Sequence, residues 1–151
     1  MAQIELEMLV HAPSSDCCAL ALNIQAHLDS TKQTGERVLA GPASGQLQLG
    51  DVVTWEARHF GVRQQLTVKI TAASPPHHFR DELVRGAFKT LRHDHYFEAV
   101  DGGTRVRDVF EFSSSFGLVG RWVDALLLRR YLTTFLQTRN AALKRRLEQN
   151  G

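Results

Sequence analysis

Apolar and polar residues alternate along much of the chain with the two-residue period of a strand. Ile4-Glu5-Leu6-Glu7-Met8-Leu9-Val10 opens this pattern, setting an apolar face against an acidic one. Pro13, Ser14, Ser15 and Asp16 then offer turn and N-cap chemistry before "CCALALNIQAHLDS", whose small residues and leucines suit one or two short helices. From Gly35 to Gly50 the composition turns to glycine, serine and alanine, which predicts a loop holding a weak strand or two.

Alternation resumes in "DVVTWEARHF" and "VRQQLTVKITAA", around Phe60-Gly61. If these two residues form the turn of a hairpin, Val53, Trp55, Ala57 and His59 share a face with Val62, Gln64, Leu66, Val68 and Ile70. Pro75-Pro76 breaks the chain, and "HHFRDELVRGAFKTLRHDHYFEAV" reads as two strands divided at Gly86. The pattern leaves open which face of the Phe79 to Arg85 strand points inward. Asp101-Gly102-Gly103-Thr104 is a hairpin signal leading into "RVRDVFEFSSS". A turn centred on Gly102-Gly103 puts Leu91, His93, His95, Phe97 and Ala99 on one face with Val106, Asp108, Phe110 and Phe112. His93 and His95 then lie opposite Phe112 and Phe110.

Beyond Ser115 the period becomes helical, from near Leu118 to about Leu147, with an apolar stripe through Trp122, Leu128, Leu132, Phe135 and Leu143. At 1.5 Å per residue this helix is about 45 Å long, enough to cross a whole sheet. Leu126-Leu127-Leu128 spreads around its circumference and calls for cover on more than one side. The predicted fold is α+β: a curved antiparallel sheet of about seven strands wrapped around a long C-terminal helix, a helix-grip arrangement, with one or two short helices after the first strand.

Composition adds limits rather than chemistry. The 151 residues, 43% hydrophobic and 23% charged, fit one soluble domain spanning 1–151. The net charge of +2 comes from 18 basic and 16 acidic residues, with a local basic cluster only at Lys144, Arg145 and Arg146, so nucleic-acid binding is not expected. Cys17 and Cys18 are adjacent and cannot close an ordinary structural disulfide. With no secretory signal pattern and no integral membrane segment in the sequence, a cytoplasmic location is expected.

Four stretches, "GDVVTWEARHFGVRQQLTVKIT", "HFRDELVRGAFKTLRHDHYFE", "GGTRVRDVFEF" and "FGLVGRWVDALLLRRYL", together with the order of elements, resemble the START-like superfamily in its polyketide cyclase/dehydrase (SRPBCC) branch. The resemblance covers essentially the whole chain. It implies a cavity between sheet and helix for an apolar or aromatic small molecule, such as a lipid, a quinone or a polyketide-like compound, with no cofactor. The residues it would place around that cavity are Trp55, His59, Leu66, Val68, His93, His95, Phe97, Asp108, Phe110, Trp122 and Leu126. Relatives often carry a bulky aromatic where this chain has "CCALAL", so a smaller-sided or differently packed wall is expected here.

His93 and His95, at i and i+2 of one strand, bind a metal only if their rings converge and a further ligand arrives from Asp108, Asp81, Glu82 or His59. No metal-spaced motif accompanies them, and no metal is expected. A general acid–base role for His59, His93, His95 or Asp108 would make the protein a cyclase or dehydratase. The bland alternative is that the imidazoles line or pack the interior, bonded to Trp55, Tyr96 or backbone groups. Asp108, on an inward face, needs a partner such as Arg129, Arg130, Arg139 or a histidine. Asp81 and Glu82 face opposite sides of their strand and cannot act as a carboxylate pair. Trp55 and Trp122 could stack on a flat ligand but more often pack a core. His77-His78 is expected to be solvated, and Gly117 and Gly120 to mark tight turns. Binding of a small molecule is the leading expectation, an enzyme of the cyclase type the alternative, and a protein-interaction module the third. A homodimer is left open.

Overall fold

The computed structural model describes residues 2–114 and 124–149. Seven strands form one antiparallel sheet: β1 (Ala2–Val10), β2 (Arg37–Ala40), β3 (Val52–His59), β4 (Val62–Ser74), β5 (His78–Arg85), β6 (Phe88–Val100) and β7 (Gly103–Ser114), in the order β1-β7-β6-β5-β4-β3-β2. Two short helices, α1 (Ser14–Leu22) and α2 (Ile24–Ser30), link β1 to β2 through a 3₁₀ turn. A π-helical turn (Asp124–Leu128) runs into the C-terminal helix α3 (Arg129–Gln149). This is the helix-grip arrangement that the hydrophobic pattern predicts. The predicted helix start near Leu118, and Gly117, Gly120 and Trp122, lie outside the described residues.

Each element forms for a local reason. Asn23 ends α1 and caps α2, its side-chain oxygen accepting the Ala26 amide at 2.8 Å. The predicted cap chemistry at Ser14 to Asp16 is not used, because α1 begins at Ser14 after Pro13 without a side-chain cap. Phe60 and Gly61 both take positive φ, 53° and 75°, as a two-residue turn matched to strand twist requires. His59 therefore pairs with Val62, Trp55 with Leu66 and Val53 with Val68, the expected register.

The second hairpin differs in one respect. Val100 pairs with Gly103, so the turn residues are Asp101-Gly102 rather than Gly102-Gly103. Gly102 takes the positive φ of 81° there, which only a residue without Cβ adopts easily. Moving the turn by one residue shifts the register by two. The same side chains stay on the same face, but their partners change: His93 faces Phe110, and His95 faces Asp108.

The apolar face of the sheet closes over α3 at one end and over α1 at the other. Ile4, Leu91, Phe110 and Phe112 pack with Leu132 and Leu136, while Val10, Phe79, Phe97 and Val106 pack with Cys17, Cys18 and Leu22. Both cysteines are free and buried. The outer face carries ion pairs between strands, such as Arg92 with Glu111 and Arg107 with Glu5. Where the end of β1 crosses the start of β7 the backbones nearly touch, and a Cβ on Gly103 would lie 2.1 Å from the Val10 carbonyl oxygen. Gly103→Ala is expected to lower unfolding free energy by about 1–3 kcal/mol, measured by urea denaturation.

Candidate functional site

Strands β5, β6 and β7 carry the polar centre of the inner face. Because side chains alternate, His93 and His95 of β6 point inward with Asp108 of β7, and Phe79 and Asp81 of β5 stand opposite His95 and His93 respectively. The inward face of β5 is thus the one holding Phe79 and Asp81. From the other side α3 lowers Arg139 and Asn140 onto the same point.

Asp108, 2% exposed, is the hub. His93 donates from Nε2 to its Oδ1 at 2.8 Å, Arg139 donates to that oxygen at 3.2 Å, and the Asn140 amide donates to Oδ2 at 2.7 Å. His95 Nδ1 also stands 3.2 Å from Oδ1, while its Nε2 donates to Asp81 at 3.0 Å. The histidines therefore bond to carboxylates, not to Trp55, Tyr96 or backbone groups. Their rings lie 3.7 Å apart, inside a column that runs from Phe79, 4.1 Å from His95, to Phe110, 5.1 Å from His93.

The environments of the two imidazoles divide their chemistry. Burial, reinforced by the neighbouring His95, pushes His93 down to about 4, so it is neutral at pH 7 with its one proton on the Nε2 that faces Asp108. Burial also opposes charge on His95, but hydrogen bonds to Asp108 and Asp81 outweigh it and raise its pKa. Burial would raise both carboxyls. The Arg139 charge and the two histidine bonds instead hold Asp108 well below the usual range, and the bond from His95 with the nearby positive charges holds Asp81 low. Asp81 keeps some open surface, its side chain being 21% exposed.

That interior is a cavity of about 170 Å³ between sheet and helix. Apolar side chains dominate its wall, among them Ala21, Leu66, Val68, Leu91, Phe110, Leu132 and Leu136. Beside Asp81, His93 and His95, two further polar pairs reach it. His59 Nδ1 is 2.7 Å from the Tyr131 hydroxyl, and His27 Nε2 is 2.7 Å from Glu36 with its ring 4.2 Å from Trp55. Burial lowers the pKa of His59. Phe60, at the hairpin tip, leans on Tyr131 with ring centres 4.4 Å apart.

Of the residues predicted for the cavity, the structure places Trp55, His59, Leu66, Val68, His93, His95 and Phe110 on its wall. Phe97 packs behind Phe79 in the core, and Asp108 sits behind the histidines. Leu126 points away, 57% exposed, and Leu128 lines the wall instead, because residues two apart on a helix lie on nearly opposite sides. His78 is not simply solvated: it is half-buried, bonded to Asp94 at 2.7 Å and stacked on Tyr96. Sequence reasoning passed over Tyr131, His27 and Glu36, which reach the wall only through tertiary packing. Asp81 shares its parity with Phe79, a signal that could have marked it as inward. Glu82, its neighbour, lies on the other face and takes no part.

Among the described residues, Asp81, His93 and His95 bring potential metal-ligand atoms within 4.8 Å of one another. Chemically the arrangement can hold a proton, a polar group of a ligand, or a cation.

A family model described as polyketide cyclase/dehydrase and lipid transport matches residues 1–148. No curated protein matches the sequence. Solved structures with the same fold include the protein TTHA0849 from Thermus thermophilus (16% identity, 97% of each chain, TM-score 0.79). They also include a START superfamily protein from Mycobacterium smegmatis (13% identity, 99% of each chain, TM-score 0.73) and ginseng major latex-like protein 151 from Panax ginseng (12% identity, 97% of each chain, TM-score 0.70).

Proposed function

The chain belongs to the polyketide cyclase/dehydrase and lipid transport family, and from that membership and its cavity we propose that it binds a compact ring compound bearing a hydroxyl or carbonyl group. The observation that carries this reading is the apolar cavity beneath α3 with Asp81 and the histidines on its wall. Size favours rings over chains: an engineered cavity of about 150 Å³ takes up benzene, and the space here is about 170 Å³. An extended acyl chain would need α3 to move outward. A phenol or quinone-like molecule fits the apolar wall and can bond to Asp81, to Tyr131 or to His59.

The test uses 2-naphthol, followed by quenching of tryptophan fluorescence. Ala21 is a small residue on the wall, and Ala21→Phe would put a ring into the space. This variant is expected to bind naphthol at least about tenfold more weakly, a loss of about 1.4 kcal/mol, while keeping its melting temperature. Equal binding by both proteins, or none by either, would remove the reading.

One observation favours a second reading. His95 and Asp81 share a hydrogen bond at the cavity wall, where an acid–base pair could move a proton to or from a bound carbonyl compound. The resulting activity would be of the cyclase or dehydratase type. His95→Gln separates the two: a carrier loses affinity, whereas an enzyme keeps affinity and loses turnover.

A further inference from the structure

Two imidazoles and a carboxylate from adjacent strands converge at the wall of the cavity, an arrangement that the carrier reading does not require. We propose that Asp81, His93 and His95 form a site for one divalent transition-metal ion, with Asp108 as the shared acceptor that orients both imidazoles.

The donor set is two ring nitrogens and a carboxylate oxygen, the combination that zinc and its first-row neighbours take. With bonds of about 2.0–2.2 Å, two ligands of one tetrahedral ion stand about 3.4 Å apart. His95 Nε2 and Asp81 Oδ1 already stand 3.0 Å apart, and no two of the three donor atoms are more than 4.8 Å apart. Closing a pair at the 4.8 Å limit takes about 1.4 Å of side-chain movement, shared between two side chains at the cavity wall. The two rings are already drawn together, 3.7 Å between centres, though they sit two residues apart on one strand.

The surroundings are those of a supported metal site. Metal-bound histidines hold their orientation by giving the other ring N–H to a carboxylate. Both histidines here turn one nitrogen to Asp108, and Arg139 and Asn140 fix that carboxylate in turn. The ion would take the place of the proton between His95 and Asp81. Three protein ligands leave a fourth position, and the cavity is the open side. With neutral imidazoles, two carboxylates against one guanidinium and a divalent ion leave one positive charge, so the fourth ligand would be an anionic oxygen such as a phenolate, an enolate or a carboxylate.

The experiment is equilibrium dialysis of the whole chain against cobalt(II), read by elemental analysis and by visible absorption. The expected result is about one cobalt per chain with the intense d–d bands of a four-coordinate ion. Asp81→Asn and His95→Gln, each checked for native near-UV circular dichroism, are expected to weaken uptake at least about tenfold. The exposed His77→Gln is expected to leave uptake unchanged. The site is overturned if folded wild-type protein retains no cobalt, if uptake survives both Asp81→Asn and His95→Gln, or if it is lost with His77→Gln. Naphthol binding in chelator-treated protein separates this result from the carrier reading, since either can fail while the other stands.

Discussion

Asp108→Ala is expected to lower the free energy of unfolding by about 3–5 kcal/mol, read as a fall in the urea midpoint at unchanged slope. Four groups lose a partner at once: His93, His95, Arg139 and Asn140, although His95 keeps Asp81 and Arg139 keeps the Asn140 side-chain oxygen. Most of the cost comes from what is left behind, because the guanidinium of Arg139, only 9% exposed, keeps its charge without a carboxylate partner. Asp108→Asn keeps the shape and one acceptor, and should cost less than the alanine variant. The double variant Asp108→Leu with Arg139→Met removes both charges and is expected to recover the part of the loss that comes from the unpaired guanidinium, while His93 and Asn140 stay without their acceptor. If Asp108→Ala melts like the wild type, Asp108 is not the hub that its bonds suggest.

The fold was legible in the sequence because it rests on period and parity. Strand alternation, the Phe60-Gly61 turn and the helical stripe after Ser115 are local signals, and local signals suffice for topology when one face of every strand is buried. The inward placement of His93, His95 and Asp108 followed from parity even though the second turn was set one residue too far along. Who faces whom was not legible. The pairing of His95 with Asp108 depends on the register, which Asp101-Gly102 sets and a neighbouring glycine obscured. Asp81 is only one of four residues that the sequence offers as a further ligand beside the histidines, and its place next to His95 needs the order of strands in space. Leu126 stands off the helical stripe, and it is Leu128, on the stripe, that lines the wall.

Stability of the metal-free protein is expected to peak near pH 6.5 and to fall on both sides. On the acid side His93 is the cause: its folded pKa, about 4, lies below the ordinary 6.5. The unfolded chain takes up that proton first, so stability drops as pH falls from 6.5 to about 4, by up to about 3 kcal/mol. On the alkaline side His95 acts in the opposite sense. Its folded pKa is raised, so its contribution is full below 6.5 and is lost as pH rises through the folded value. Asp81 and Asp108, both depressed, add stability that is present above the unfolded carboxyl range and lost in acid as pH falls through their folded values. Urea midpoints measured across pH 4 to 9 check this, and a flat profile would mean that the imidazoles titrate as freely as in solution. His93→Gln should flatten the acid limb alone.

The bonds from Arg139 and Asn140 to Asp108 also bear on how the chain is made. Every strand is complete by Ser114, but the residues that close over the histidines lie 31 and 32 positions after Asp108. Synthesis runs from the N-terminus, so all seven strands are made before Arg139 and Asn140, and Phe110, Phe112 and Leu91 gain the cover of α3 last. A chain cut before Arg139 would keep every strand but lose the groups that pair with Asp108, and is expected to be cleaved by proteases faster than the whole chain.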